Sequence, residues 1–234
     1  MQFHSRRIEF KYFLPADMLE IVIPFISFHM SLDKYIKDRN YYTVNSVYFD
    51  SPDLHCYHQK LAGVFTRKKY RIRYYNNDPR YYFFEIKRKK GDIVYKDRAL
   101  LSSKLNLSSL NNDMEVKKNI LNKIVDNALR SELINDYFSM KLHPMAQVVY
   151  KRKPFVSAIN KNLRITIDYD IGVMHLRNKM IHGNLFSFLP LTLLEIKFNG
   201  LLPSWLGDMI KLYSFNRTAF SKYTAAIDNL VEHM

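Results

Sequence analysis

The sequence is poor in the residues on which several kinds of site depend. A single cysteine, Cys56, in 234 residues excludes an internal disulfide framework and a cysteine-rich zinc site. There are six glycines, at 63, 91, 172, 183, 200 and 207, and none have the spacing of a Walker loop or a dinucleotide fingerprint. Those loops use glycine to bring backbone close to phosphate, so any phosphate bound here must be held by side chains. The eight histidines form no H-E-x-x-H or comparable short-spaced set and read as surface or packing groups. The most apolar stretch, Leu14 to Met30, is broken by Pro15, Asp17, Glu20 and Pro24. It therefore reads as an amphipathic or buried helix rather than a membrane span or signal peptide. With neither export signal nor disulfide, a cytoplasmic location is expected.

What the chain has in excess is positive charge. Lys and Arg number 36 against 22 Asp and Glu, a formal +14, while apolar residues make up 47% as in ordinary globular proteins. Such a field favours polyanionic partners such as polyphosphate, nucleic acid or an anionic membrane. No linker divides the chain, so residues 1–234 are expected to form one domain.

Period-two alternation dominates the pattern. Residues 6–13 set Arg7, Glu9 and Lys11 against Ile8, Phe10 and Tyr12. Residues 44–49 form a β-rich run, and Ser51-Pro52 looks like the cap of a helix reaching Gly63 with Leu54, Tyr57 and Leu61 buried. In 69–75, Lys69, Arg71 and Arg73 alternate with Tyr70, Ile72 and Tyr74. In 81–89, Glu85, Lys87 and Lys89 oppose Tyr82, Phe84 and Ile86. A turn at Gly91-Asp92 leads into 93–98, with Lys96 and Arg98 opposite Ile93 and Tyr95. A Ser/Asn/Leu-rich loop over 101–112 precedes one helix over 113–139, with Met114, Lys117, Leu121, Ile124 and Leu129 at helical spacing. Strands resume at 146–152, with Val148, Tyr150 and Arg152 together, and at 163–170, with Arg164, Thr166, Asp168 and Asp170 together. The segment 173–190 is ambiguous, with room for one more strand. Residues 192–198 place Glu195 and Lys197 opposite Leu194, Ile196 and Phe198. Helices over 203–214 and 221–232, the second capped by Ser221, close the chain.

Glu-x-Lys with an apolar centre occurs three times on these strands, at 9–11, 85–87 and 195–197. An open sheet with one wet face gives the same alternation. Two features favour a lumen instead. The charged faces carry Lys11, Arg71, Arg73, Lys87, Lys96, Arg98, Arg152, Arg164 and Lys197 against only Glu9, Glu85, Asp168 and Glu195. About eight antiparallel strands, with helices to cover their apolar faces, can close into a barrel that holds a small ligand. The pattern alone leaves the open sheet and the lumen both standing; with the lumen, the expected fold is α+β, a closed eight-stranded antiparallel β-barrel with helices packed outside. Like charges lining it would repel unless an anion entered, and a chain of phosphates suits both Arg and Lys. The few carboxylates could hold Mg²⁺ or Mn²⁺ bridging phosphate oxygens. The 33 Phe and Tyr residues mostly alternate with the cations, which makes them core rather than stacking platforms and nucleic acid an unfavoured partner.

The run Arg6-Arg7-Ile8-Glu9-Phe10-Lys11-Tyr12 resembles the opening strand of the VTC domain, the polyphosphate polymerase branch of the triphosphate tunnel metalloenzymes. Seven further motifs follow in that family's order: Ser46-Val47-Tyr48-Phe49-Asp50-Ser51, Arg67 to Tyr74, Phe84 to Lys89, Tyr150-Lys151-Arg152, Leu163 to Asp168, Leu194 to Lys197, and Phe220-Ser221-Lys222-Tyr223. The resemblance implies a triphosphate tunnel open at both ends, binding ATP or another triphosphate and inorganic polyphosphate with Mn²⁺ or Mg²⁺. By matching positions it implies that Lys11, Arg71, Arg73, Lys87, Arg152, Arg164 and Lys222 contact phosphates. Lys96, Arg98 and Lys197 join them, with Tyr150 and Ser221 as hydrogen-bond donors. It makes Glu195 the first candidate for the metal, followed by Glu9, Glu85 and Asp168. The implied reaction moves the γ-phosphate of ATP onto polyphosphate; a triphosphate hydrolase and a non-catalytic polyphosphate- or RNA-binding module are the alternatives. The wider superfamily opens with Glu-x-Glu-x-Lys, whereas Arg7 stands at the first Glu position here, which fits the VTC branch better than a simple triphosphatase. Yeast-type VTC proteins also carry a phosphate-sensing domain and membrane helices, so separate membrane or regulatory partners would have to supply those functions.

Overall fold

A computed structural model describes residues 5–232 apart from 37–39, 77, 79, 102–104, 106, 108, 109, 111, 176–185, 190 and 191. The alternating segments become strands β1 (Ser5–Leu14), β3 (Tyr42–Asp50), β4 (Thr66–Tyr75), β5 (Phe83–Lys90), β6 (Ile93–Leu100), β7 (His143–Val156), β8 (Arg164–His175) and β10 (Thr192–Phe198). They pair in the order β7-β3-β4-β5-β6-β1-β10-β8, and β8 pairs back to β7. Every ladder is antiparallel, so the eight strands close into a barrel without a free edge. Two short strands extend it: β2 (Ser31–Leu32) adds to β7, and β9 (Phe186–Leu189) adds to β8. The latter is the further strand for which the ambiguous segment has room.

Closure gives the alternation its meaning, because one face of every strand now points inward and the other outward. The outer faces make two cores. Val47, Tyr70, Ile72, Phe84 and Ile86 lie with residues of α3 (Asp113–Asn119) and α4 (Asn127–Met140). Tyr12, Ile165, Ile167, Leu194 and Ile196 pack with Val22 and Ile26 of α1 (Leu19–His29) and Leu206 and Met209 of α5 (Ser204–Leu212). The first turn of α6 (Lys222–Glu232) brings Lys222 to the lumen, while Tyr223 joins the core with its ring 5.1 Å from that of Tyr48 and its hydroxyl donating to Asp50 at 2.6 Å. Gly91 takes φ 56° in the tight β5–β6 turn, where an added Cβ would stand 3.0 Å from the Phe65 ring.

Three local expectations are corrected. The helix after β3 is α2 (His55–Leu61), later and shorter than expected, because the Asp50 carboxylate takes the Cys56 and Tyr57 amides at 2.8 and 3.0 Å. Residues 51–54 form a turn in which Leu54 is left-handed, Leu61 is 58% exposed, and Cys56 fills the buried position. The single helix over 113–139 is two, since Asn112 caps α3, Asp126 caps α4 through the Leu129 amide, and Ile124 between them is extended. Met114 is correspondingly 78% exposed. Asp170 leaves the lumen face: a register shift in the β7–β8 ladder and a positive φ of 49° turn it outward to Lys151 at 2.8 Å. The Ser/Asn-rich stretch read as a loop lies mostly outside the described residues.

Candidate active site

The inward faces enclose a cavity of about 670 Å³ lined by sixteen Lys and Arg side chains but only three carboxylates. Fourteen of the sixteen side chains expected at the site line it. Glu85 and Asp168 do not: both are 0% exposed and lie beneath the cations rather than among them.

Each of these two carboxylates fixes a group of cations. Glu85 on β5 holds Arg71 of β4, with Nε and a terminal nitrogen at 2.8 and 2.7 Å, and Lys96 and Arg98 of β6 at 2.7 and 3.2 Å. The register makes this possible, since Glu85 stands directly between Arg71 and Arg98 on its two neighbouring strands. Burial alone would raise the Glu85 carboxyl, but Arg71, Lys96, Arg73 and Arg98 hold it well below the usual range. Asp168 on β8 takes Arg152 of β7 in a two-pronged bridge at 2.6 and 2.7 Å, and Lys222 at 2.6 Å. Burial would depress the Lys222 ammonium, yet Asp168 and Glu195 raise it.

Glu195, by contrast, faces the cavity. Lys197, Lys222, Arg152 and Lys11 surround it at 2.6, 3.1, 3.4 and 3.7 Å. Despite burial, these cations hold its carboxyl well below the usual range. Glu9 likewise faces the cavity and takes Lys87 at 2.6 Å and Arg7 at 3.5 Å. Arg73 donates to the Ser46 and Tyr150 hydroxyls, each at 3.2 Å, and Arg71 to Tyr48 at 3.1 Å. Arg164, near one end of the barrel, pairs with Asp33 at 2.7 Å.

The surplus of cations leaves several of them short of counter-charge. Burial, with Arg71, Arg73 and Arg98 nearby, pulls the Lys96 ammonium down to about 7 against the attraction of Glu85. Burial also pushes Lys197 well below its ordinary value. Lys69 falls too, through burial and the nearness of Lys11 and Lys87. Among the described residues its ammonium donates to the Ser221 hydroxyl alone, which also accepts from the Thr224 amide as the cap of α6. With both lone pairs engaged, that hydroxyl can donate its own proton into the cavity. Lys69, Arg7, Lys60, Arg67, Lys89 and Arg217 also line the cavity, beyond the residues expected at the site. Arg7, Arg67, Lys69 and Lys89 share the inward parity of Lys11, Arg71 and Lys87, and that parity is the signal that points to them, whereas Lys60 and Arg217 lie off these strands.

Among the described residues no group of three His, Cys, Asp or Glu side chains could hold a metal ion. The donor set fits a divalent cation only where one or two carboxylates, Glu195 with Glu9 beside it, share the ion with phosphate oxygens, as Mg²⁺ commonly allows.

The VTC domain model matches residues 6–231, nearly the whole chain. The chain belongs to the VTC domain family. Its tunnel fold recurs in solved structures. A candidate adenylate cyclase from Bacillus halodurans superposes with a TM-score of 0.54 at 12% identity, covering 93% of this chain and 95% of that one. A candidate adenylyl cyclase from Hippeastrum, whose description gives a dominant triphosphatase activity, superposes with a TM-score of 0.53 at 13% identity, covering 95% and 96%. At such identities the likeness is one of fold. No curated protein matches the sequence. Among the described residues of this VTC domain, no helix is long and apolar enough to cross a membrane.

Proposed function

We propose that this VTC domain is a metal-dependent phosphotransferase that lengthens inorganic polyphosphate with the γ-phosphate of ATP. The observation that carries the reading is the lumen itself, where sixteen cations face three carboxylates inside a closed barrel of the VTC family. A chain of phosphates is the ligand whose charge and shape answer that arrangement.

In this reading Arg71, Arg73, Lys11 and Lys87 clamp the triphosphate, and Arg152, Arg164, Lys197 and Lys222 hold the rest of the reacting chain. Lys96 and Arg98 contact phosphate from β6, while Tyr150 and Ser221 donate hydrogen bonds. A terminal oxygen of the acceptor chain forms a bond to the γ-phosphorus as the bond to the ADP oxygen breaks. The protein's task is positioning and stabilisation of negative charge. The attacking oxygen is already anionic, so no general base is assigned. Glu195 is the metal ligand, with Glu9 beside it, and Mn²⁺ or Mg²⁺ would polarise the phosphoryl oxygens when bound. Glu85 and Asp168 become positioning groups that hold cations in place from beneath.

Hydrolysis is the less favoured outcome because a water nucleophile has to be oriented and deprotonated. Glu9 and Glu195, the cavity carboxylates near the centre, are both engaged by lysines. Incubation of the protein with ATP and Mn²⁺, with products separated by length, tests the reading. A metal-dependent ladder of long chains supports it. Phosphate release from tripolyphosphate without a ladder means a hydrolase, and tight polyphosphate binding without turnover means a binding module.

A further inference from the structure

Large nonpolar side chains stand out in solvent at one end of the barrel. Ile159, Leu201 and Phe28 are 98%, 92% and 87% exposed, and each comes from a different segment. Ser31 and Leu32 of β2 pair with Val156 and Phe155, so the end of α1 with Phe28 lies beside the β7–β8 hairpin that carries Ile159. Lys197 pairs with Arg164 just past that hairpin, so the connection from β10 to α5, with Leu201, leaves the barrel at the same end. Aromatic rings back these tips. His29 stacks on Trp205 at 4.3 Å, Phe28 meets His29 edge-on at 5.0 Å, and Phe25 lies 6.2 Å from Trp205.

The hairpin is braced by its own polar groups. The Asn160 amide donates to the Ser157 hydroxyl at 3.0 Å, the Asn162 amide to the Asn160 side chain at 3.0 Å, and the Leu163 amide to the Asn160 carbonyl at 2.9 Å. Ile159 is thereby held outward. The charge around the tips has one sign. Residues 28–36, 157–163 and 199–205 contain Lys34 and Lys161, both exposed, and a single acid, Asp33. That acid is buried and already bridges Arg164 at 2.7 Å. Glu20 lies at the far end of α1, and Asp208 a turn behind Ser204 on α5. Separate projecting tips make no groove for a peptide, and a second copy would bring the same positive charge. A lipid interface accepts scattered projections, and an anionic one answers the lysines.

We infer that Phe28, Ile159 and Leu201 dock this end of the barrel on the surface of an anionic membrane, with Lys34 and Lys161 against the lipid headgroups. The docking is peripheral: the tips enter the interface, and the Trp205–His29 stack sits at headgroup level, where tryptophan is favoured. Insertion removes exposed nonpolar area from water, while the lysines add an attraction that salt weakens. The inference goes beyond the phosphotransferase reading and does not rest on it, because none of these five side chains lines the cavity.

Trp205 is the only tryptophan in the chain, so its emission reports the event. The test titrates the protein with phosphatidylcholine vesicles made with and without phosphatidylglycerol, following that emission and cosedimentation. The anionic vesicles should bind the protein and shift the emission to the blue. Phe28→Ser/Ile159→Ser should weaken partition about tenfold or more. Leu212→Ser, which changes an exposed residue at the other end of α5, should alter it less than about twofold. Lys34→Gln/Lys161→Gln should weaken binding to the anionic vesicles by about fivefold per lysine. All these side chains are exposed, and an unchanged melting temperature checks that each variant is folded. Failure to bind anionic vesicles, or binding that survives Phe28→Ser/Ile159→Ser, would overturn the inference. So would an equal loss in Leu212→Ser, or a concentration-dependent dimer abolished by the same pair, which would make the tips a contact between copies. Because no turnover is measured, these outcomes are independent of whether the domain polymerises, hydrolyses or only binds.

Discussion

Arg152 and Asp168 stand directly opposite each other on β7 and β8 and join through two hydrogen bonds of 2.6 and 2.7 Å, buried below the cavity floor. Lys222 reaches the same carboxylate from α6 at 2.6 Å, so one buried acid ties two strands and a helix to the site. Asp168→Asn should leave two buried cations without their acid and cost about 3–5 kcal/mol of stability. Chemical denaturation checks this; a loss below about 1 kcal/mol would mean that Glu195 alone satisfies both cations.

Arg71 uses its guanidinium fork on Glu85 while a terminal nitrogen donates to the Tyr48 hydroxyl. Arg71→Lys keeps the charge and loses the fork, so it is not a mild change. Tripolyphosphate affinity should fall by about 1.5–3 kcal/mol, roughly ten- to a hundredfold, measured by calorimetry. Unchanged affinity would place Arg71 outside the ligand's reach.

Lys96 gives the site a pH dependence near neutrality. Its ammonium is pulled down to about 7, whereas in the unfolded chain it titrates near 10.4. Between those values the unfolded chain carries a proton that the folded one lacks. This group's contribution to stability therefore rises with pH across that window, and its penalty is complete below about 7. An arriving phosphate favours the charged amine, so binding at about pH 8 should draw a proton from solution. Titrations in buffers of different ionisation enthalpy should reveal that uptake, and Lys96→Gln should reduce it. No buffer dependence would show that Lys96 is already charged in the free protein.

The barrel was legible because inward and outward residues differ so sharply. Lys69, Arg71 and Arg73 against Tyr70, Ile72 and Tyr74 fix which residues share a face, but an open sheet would show the same alternation, and it is the β7–β8 ladder that closes the barrel. What alternation could not disclose was depth. Glu85 and Glu195 occupy the same place in the same tripeptide, yet one lies under the cations and the other faces the ligand space. That difference arises from barrel stagger and from neighbours distant in sequence. Helix ends were obscured for a related reason. The acceptor that starts α2 is Asp50, six residues before the amide it takes, and Asp126 interrupts what reads as one periodic helix. At Asp170 a single extra residue in the ladder reversed the inward parity.

The most direct test of the account is Glu195→Gln. The substitution keeps the shape of the side chain and removes one negative charge from among Lys197, Lys222, Arg152 and Lys11. Metal-free affinity for tripolyphosphate should hold or rise, because the lumen becomes more positive. The metal-dependent formation of polyphosphate from ATP should fall by about a hundredfold or more, as loss of several kcal/mol of metal-borne stabilisation requires. Full, metal-dependent chain synthesis by the Glu195→Gln protein would contradict the assignment of this carboxylate and the reaction built on it.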